Sequence, residues 1–471
     1  MAAPAEVRLY NTLTRETGVF TPREPGKIGL YSCGPTVYDY QHIGNMRTYI
    51  FVDLLRRVLV DAGYELKSVI NITDVGHLTS DADSGEDKME VGARRTGKSA
   101  WEIAEFFTKV FVDDLHSLKV RDPDIWCKAT EHIDDMLELI AALEEDGFTY
   151  KIAGDGIYFD TSKVPDYGAL ARLDLEGQEA GARIGLNEEK RNPQDFALWK
   201  FSPPGEQRQM EWDSPWGRGF PGWHIECSAM AAKYLGVPFD IHTGGIDHIP
   251  VHHTNEIAQT RAATGKLLAD WWLHGEFLNV KQGDEDKKMS KSAGTFVRLQ
   301  DMVERGFEPI AFRFMTYQAH YRKKLNFDEE GLSAAASGLK RLHQAFAALP
   351  AEAAEPDAGS LARFRAALRD DLNAPQALAE VWGVTRNASL SPAARRATLL
   401  AMDAVLPMGL EDVQPLVEDG PPAEVVALLD QRNAARKAKD FATADRLRGE
   451  IGERGWEIRD SAQGSTLARK G

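Results

Sequence analysis

The sequence predicts an α/β chain built on a parallel sheet, and three observations carry that expectation. A short apolar run, Lys27-Ile-Gly-Leu-Tyr-Ser-Cys33, follows Pro25-Gly26 and stops at Gly34-Pro35. Apolar residues then recur at helical spacing at Met46, Ile50, Leu54 and Val58, up to Gly63. A second apolar run covers residues 66–72. Strand, helix and strand within about 45 residues make a βαβ unit, whose strands lie parallel and whose ligand is expected at their carboxyl ends.

The remaining elements follow in order. Residues 76–90 are acidic and polar and read as a loop. Helical patterns cover 101–118 and 131–145, and 150–222 is rich in Gly, Pro and turn residues, with short strand-like pieces such as 156–160. The stretch from 120 to about 195 is expected to be an insertion between two sheet halves. The second half resumes with a helix over 224–235, a strand over 238–241, a helix from about 252 and a strand over 271–280. Residues 1–300 would thus form one α/β domain. From Asp301 onward everything reads as helical, as a segment 301–348 and a bundle within 349–415 entered through an Ala/Pro/Glu-rich linker, 349–359. The Gly420-Pro-Pro422 break precedes a small domain, 420–471. Residues 431–471 carry ten Lys+Arg against six Asp+Glu, so this end is locally basic.

Composition bounds the function. At 471 residues the chain exceeds a single core, and 43% hydrophobic with 27% charged residues excludes an intrinsically disordered chain. No run approaches the ~18 apolar residues that a membrane span needs. Three cysteines, Cys33, Cys127 and Cys227, exclude a disulfide framework, so a reducing, cytoplasmic setting is expected, with Cys127 structural. A net charge of -16 offers nucleic acid no general attraction, and any such partner must find a local basic surface.

Four constellations bear on chemistry. Gly92-Ala-Arg-Arg-Thr-Gly97-Lys98-Ser99 matches a phosphate-loop pattern, yet no apolar strand precedes it. It reads better as Gly97 ending one helix and Ser99 with Glu102 forming a capping box for the next. Cys33, Cys227, His252 and Glu256 offer donors suited to tetrahedral zinc, the last two four residues apart on one helix face. Buried cysteines acting as small hydrophobes, with a His/Glu surface contact, account for the same residues. His42-Ile43-Gly44-Asn45 opens the first helix, where a glycine lets phosphate approach the backbone; a capped helix start is the plain alternative. Lys288-Met-Ser-Lys291-Ser292 follows a hydrophilic loop and can clamp a triphosphate, or be solvated surface.

Taken together, these motifs resemble the class I aminoacyl-tRNA synthetases. Gly34-Pro-Thr-Val-Tyr-Asp39, Asn71-Ile-Thr-Asp74, Pro221-Gly-Trp-His-Ile-Glu-Cys-Ser-Ala-Met230, His252-His-x-Asn-Glu256, Arg432-Asn-x-Ala-Arg436 and Asp440-x-x-x-Ala-Asp-x-x-Arg448 resemble the cysteinyl-tRNA synthetases specifically. The resemblance runs from about Leu9 to Leu467. Two departures stand out: Asn45 replaces the last histidine of the HIGH-like motif, and the segment from Asp74 through Gly85 is longer than in many members.

The resemblance implies a Rossmann-like catalytic domain with an inserted connective segment, then an α-helical tRNA-binding region (301–348 touching the stem, 349–415 toward the anticodon) and a small C-terminal domain. It implies that Cys33, Cys227, His252 and Glu256 hold one Zn2+ that also takes the substrate's sulfur. His42, Gly44 and Asn45 would meet ATP phosphates, Lys288 and Lys291 the departing pyrophosphate, and Gly244, Gly245 and Asp247 the adenosine. Gly34, Thr73 and Trp223 would line the amino-acid pocket. The implied reaction is ATP activation of L-cysteine, with Mg2+, followed by transfer to the 3′ end of tRNA-Cys, by a monomer. In the tail, Arg432, Arg436, Lys437, Lys439, Arg446 and Arg448 are candidates for phosphate contacts, as are Arg322, Lys323 and Lys324 nearer the catalytic domain. Trp456 reads as core of a small domain in preference to a base-stacking platform. Two rivals remain: an ATP-dependent ligase joining cysteine to an amino sugar, from the mycothiol pathway, which lacks the long C-terminal region, and a non-catalytic zinc-dependent nucleic-acid-binding protein, which the intact 288–292 motif disfavours.

Overall fold

The computed structural model describes residues 3–76, 88–172, 189–203, 205, 208–282, 285–289, 296–414, 422–461 and 464–469. The chain divides into two compact units, Met1–Val413 and Gln414–Gly471.

The first unit opens with a hairpin, β1 (Arg8–Asn11) and β2 (Glu16–Val19). β3 (Lys27–Ser32), α1 (Ile43–Asp61) and β4 (Glu65–Ile72) form the βαβ unit, with β3 and β4 parallel. α2 (Lys88–Thr96), α3 (Ala100–Ser117) and β5 (Ile125–Lys128) follow, and β5 pairs in parallel with β4. The phosphate-loop look-alike is what its context suggested. Gly97 sits at φ 71° after α2, and Ser99 with Glu102 caps α3 reciprocally.

α4 (Ile133–Glu145) leads into a four-stranded antiparallel sheet of β6 (Thr149–Ile152), β7 (Gly156–Phe159), β8 (Phe196–Phe201) and β9 (Gly219–Pro221). The expected start of the insertion at 120 is therefore too early, because β5 belongs to the central sheet. A four-residue strand carries too little pattern to be seen without its neighbour. The antiparallel sheet also reaches Pro221, past the expected end near 195.

α5 (Trp223–Leu235), β10 (Phe239–Gly245), α6 (Thr254–Thr264) and β11 (Ala269–Gly275) complete the core. The central sheet runs β11-β10-β3-β4-β5, all parallel. In chain order that is 5-4-1-2-3, so the direction of winding reverses between β3 and β10, and the crevice at their carboxyl ends is where such sheets bind ligands. The predicted strand over 271–280 is two strands in different sheets. Arg47 of α1 takes the carbonyls of Glu276 and Phe277, and β12 (Leu278–Gln282) then pairs with β13 (Glu285–Lys288).

α7 (Leu299–Glu304), α8 (Pro309–Thr316), α9 (Glu329–Ala347), α10 (Ala358–Arg369), α11 (Ala374–Arg386) and α12 (Pro392–Asp403) make the rest of this unit largely helical. One strand interrupts them: β13's neighbour β12 pairs on its other side with residues Leu325–Phe327, so the all-helical expectation from Asp301 fails here. Three residues supply no period, and the pairing depends on a partner some 45 residues away.

α1 is tied to α8 through charge. Asp53 and Arg313 are fully buried, and the Asp53 carboxylate accepts from Arg57 Nε at 2.7 Å and from the Arg313 guanidinium. Burial pushes the Asp53 pKa up, but Arg313 and Arg57 outweigh it and hold the carboxyl below its usual range. Arg313→Met leaves this charge half-paired in the core and is expected to cost about 3–5 kcal/mol. A urea midpoint shift with unchanged slope checks this, and Asp53→Asn in the same chain should return part of the loss.

The second unit packs α13 (Ala423–Lys437) and α14 (Phe441–Glu453) on a hairpin of β14 (Trp456–Ser461) and β15 (Gly464–Arg469). This hairpin is a second departure from the all-helical expectation. Trp456 is in the core with Val425, Leu429 and Ile451, as expected.

Candidate functional site

The crevice between β3 and β10 gathers residues from across the first unit. Cys33 is the residue after β3, Cys227 lies one turn into α5, His252 in the wide helical turn Ile249–His253, and Glu256 in the first turn of α6. All four are buried, and their donor atoms lie within 4.8 Å of one another. The two sulfurs are 4.0 Å apart. Two thiolates on a tetrahedral zinc, with bonds of ~2.3 Å, would be about 3.8 Å apart, so spacing and donor chemistry both fit that ion.

The local electrostatics divide the four donors. Burial raises the Cys33 thiol well above its usual pKa, and the Cys227 thiol beside it adds to the rise. Cys227 is lowered, by its hydrogen bond with Cys33 and by His252, despite burial. Burial alone would make His252 a weaker base; Glu256 and Cys227 outweigh it and lift its pKa to about 10. Glu256 is held far below the carboxylate range, because His242 and His252 more than offset its burial. Cys227 and Glu256 thus favour their anionic forms, the charge state in which they could hold a cation, whereas Cys33 and His252 favour their protonated forms.

Around these four stands a shell that the sequence reading missed. His224 Nδ1 meets His252 Nδ1 at 3.0 Å, and His242 Nε2 meets Glu256 Oε2 at 2.7 Å. His253 Nε2 lies 3.2 Å from Cys33 Sγ, and its Nδ1 is 2.8 Å from His274 Nε2, which passes on to Thr12 Oγ1 at 2.8 Å. Such outer partners fix the tautomer and orientation of a ligating ring. A signal was available: six of the chain's 12 histidines fall between 224 and 274.

The candidate pocket residues lie on or beside the elements that carry the four donors. Gly34 donates its N–H to Asn71 Oδ1 at 2.7 Å, and a Cβ there would stand 1.5 Å from the Asn71 carbonyl oxygen. Thr73 Oγ1 donates to Glu226 Oε2 at 3.0 Å and accepts from Asn71 Nδ2 at 3.1 Å. The Trp223 ring lies over His252, centroids 4.4 Å apart. Trp223, Asp247, His248, His252 and Phe277 line one cavity of about 490 Å³, so pocket, adenosine and metal candidates share a chamber. Burial keeps His248 neutral there, with its pKa lowered to about 4.

The nucleotide candidates sit at the rim. His42 caps α1: its Nδ1 accepts from Asn45 N at 3.1 Å, and Asn45 Oδ1 accepts from His42 N at 3.2 Å. Asn45 thus closes a capping box. The capped start is realised, and Gly44 faces the His42 ring, where a Cβ would fall 2.9 Å from it. Gly244 and Gly245 end β10; a Cβ on Gly244 would fall 2.5 Å from His248 Nδ1, and one on Gly245 2.4 Å from Asp247 Oδ1 and 3.8 Å from Thr48 Oγ1 of α1. Lys288 ends β13, opposite Asn279, but its side chain lies outside the described residues, as does Lys291. The far end of that loop returns to the site: Val297 O accepts from Ile43 N at 2.9 Å, and the Phe296 ring meets His42 edge-on at 5.8 Å.

Two of the predicted RNA contacts, Arg322 and Arg432, are engaged within the fold, and Arg436 and Arg446 make exposed ion pairs. Arg322 donates twice to Asp371 Oδ2, at 2.8 and 2.5 Å, while Lys323 and Lys324 are exposed. Arg432 is buried and paired with Asp460 at 2.8 Å, Arg436 joins the same carboxylate at 2.9 Å, and Arg446 pairs with Glu450. Lys437, Lys439 and Arg448 are exposed, and beside them Phe441, which the sequence reading passed over, exposes 62% of its surface.

Comparison with known proteins agrees with this geometry. Residues 19–337 match the family described as tRNA synthetases class I (C) catalytic domain, and residues 418–466 the cysteinyl-tRNA ligase anticodon binding domain. The chain is 54% identical over 459 residues to cysteine--tRNA ligase 1 of Burkholderia lata, covering 98% of this chain and 96% of that protein. It is 48% identical over 484 residues to the cysteine--tRNA ligase of Novosphingobium aromaticivorans, covering 98% and 96%. Among solved structures, Mycobacterium tuberculosis methionyl-tRNA synthetase with methionyl-adenylate shares the fold at TM-score 0.54 and 16% identity, over 82% of this chain and 93% of that one. A parallel sheet that reverses its winding at a buried thiol and imidazole cluster, full-length likeness and both domain matches converge: the chain belongs to the cysteinyl-tRNA synthetases, ligases of the class I aminoacyl-tRNA synthetase family.

Proposed function

We propose that this chain is a cysteine--tRNA ligase, activating L-cysteine with ATP and transferring it to the 3′ end of tRNA-Cys. The observation that carries the reading is the buried cluster of Cys33, Cys227, His252 and Glu256, of which His252 also lines the cavity beside Trp223 and Asp247. A zinc ion held by those four would supply a soft Lewis acid that prefers the substrate's sulfur to a serine hydroxyl.

The chain's own residues do the rest. Gly34, Thr73 and Trp223 are assigned to the amino acid, with Trp223 lining the cavity, and Gly44 is assigned to the ATP phosphates. The carboxylate of cysteine attacks the α-phosphorus of ATP, and pyrophosphate leaves with its Mg2+. His42, held by its capping box, presents its ring at the amino end of α1, where helix N–H groups favour developing negative charge. Lys288 and Lys291 are assigned to the pyrophosphate, and Gly244, Gly245 and Asp247 to the adenosine. The terminal ribose hydroxyl of the tRNA then attacks the acyl carbonyl. Positioning and charge stabilisation dominate, with little proton transfer asked of side chains. In the second unit, exposed Lys437, Lys439, Arg448 and Phe441 supply the cations and aromatic face that an unpaired RNA segment needs.

ATP–pyrophosphate exchange tests the reading. Exchange should depend on cysteine, with serine supporting less than about one part in 10⁴, beyond the roughly 10–200-fold that shape alone achieves for a small group. Charging of tRNA-Cys should follow. Exchange without charging would transfer the reading to an amino-sugar ligase, and no exchange would leave a binding protein.

A further inference from the structure

Two large rings on α3 leave much of their surface open to solvent. The buried stripe of that helix is Ala100, Ile103, Ala104, Phe107, Phe111 and Leu115. Trp101 and Phe106 lie off it, with 47% and 41% of their surfaces exposed. They belong to two separate aromatic contacts, the second of which reaches the residues just before His42. Trp101 meets Trp212 edge-on at 6.4 Å, and Phe106 lies 6.5 Å from Tyr40, two residues before His42. Cations sit on the second pair: Lys98 Nζ is 4.8 Å from the Phe106 centroid, and the Arg298 guanidinium is 5.0 Å from that of Tyr40.

The stretch of sequence that carries these rings is not acidic, unlike the chain as a whole. Residues 88–106 carry four Lys/Arg against three Glu, where the whole chain is at -16. Two of the three carboxylates are engaged: Glu102 in the Ser99 cap, and Glu90, which accepts from Gln209 N at 2.9 Å. Exposed aromatic faces interleaved with cations, on a rim that leads to a phosphate-handling centre, are the chemistry that holds single-stranded nucleic acid.

We propose that Trp101 and Phe106 form a stacking platform for the unpaired nucleotides at the 3′ end of the tRNA, guiding the terminal ribose past Tyr40 toward the acyl-adenylate. This rests on the ligase reading above, which requires that a single-stranded RNA end reach His42. A peptide or a second copy of the chain would be served by the rings but would gain little from cations seated on them.

The test separates the two half-reactions in the full-length protein. Trp101→Ala and Phe106→Ala should each lower kcat/KM for tRNA charging by about fivefold to hundredfold, the range of one lost base–aromatic stack. Cysteine-dependent exchange, which needs no RNA, should hold, and Trp101→Phe should keep most of the charging. Binding of tRNA with and without its four unpaired 3′ nucleotides is the second arm. The wild type should favour the intact RNA, and the alanine variants should shrink that preference without weakening the trimmed RNA. Charging at wild-type rates, equal loss with trimmed RNA, or a dimer dissolved by Trp101→Ala in sedimentation would each overturn the proposal. Absence of exchange in the wild type would overturn the ligase reading, whereas intact exchange with unaltered charging overturns the platform alone.

Discussion

Cys227→Ala is expected to strip the purified protein of zinc and to weaken cysteine binding by more than 100-fold. Changes to residues that merely support a ligand cost about 10–100-fold in metal affinity, and here a ligand itself is lost. The three remaining donors do not form a harmless cavity. His252 stays beside Glu256 at 2.9 Å but loses the Cys227 contact that helps hold it charged, and Cys33 keeps a thiol raised by burial. Metal content by mass spectrometry, with cysteine titrated calorimetrically on both proteins, reads the result. A metal bound only to the folded chain stabilises it by about 4 kcal/mol at 1,000 times its dissociation constant, so chelation should also lower the melting temperature of the wild type but not of the variant. Faithful charging by a zinc-free preparation would refute the account of selectivity.

Gly34→Ala should be the most damaging single methyl in the molecule's active half. The new Cβ would fall 1.5 Å from the Asn71 carbonyl oxygen, which belongs to the backbone at the end of β4 and has nowhere to rotate. The ends of β3 and β4 must part, breaking the Gly34 N–H to Asn71 bond and moving the adjacent Cys33, a candidate metal ligand. A loss above about 4 kcal/mol is expected, in the range reserved for overpacking and broken buried networks. Denaturant unfolding measures it, and zinc content at native temperature shows whether the surviving fold still assembles its donors. Gly97→Ala is the control, since nothing lies within 4 Å of its Cβ position, although its φ of 71° carries a smaller conformational penalty.

How much of this was legible in the chain differs from element to element. α1, α3 and α5 are long amphipathic or buried helices with clear stops, and their bounds came within a residue or two of those seen. The Ser99–Glu102 capping box was readable because a cap is a local hydrogen-bond pattern. β5 was misassigned to the insertion, and the run 271–280 was read as one strand. In each case the deciding partner, β4 or Arg47, is remote in sequence. The charge pattern of the tail was visible, but not which cations were already spoken for. Arg432 looked like a phosphate ligand and is buried against Asp460, while Phe441 looked ordinary and is exposed.

By itself the chain of residues determined the chemistry available: two thiols, one imidazole and one carboxylate of the right kind, a glycine where backbone must approach backbone, and strands and helices set by hydrophobic period. Only the tertiary structure decided that Cys33 and Cys227, 194 residues apart, stand 4.0 Å from each other, and that six histidines close around them. The physical reason is range. Periodicity and capping are written within a turn or two of backbone, whereas convergence at the crevice between β3 and β10 is set by the order in which the strands pair.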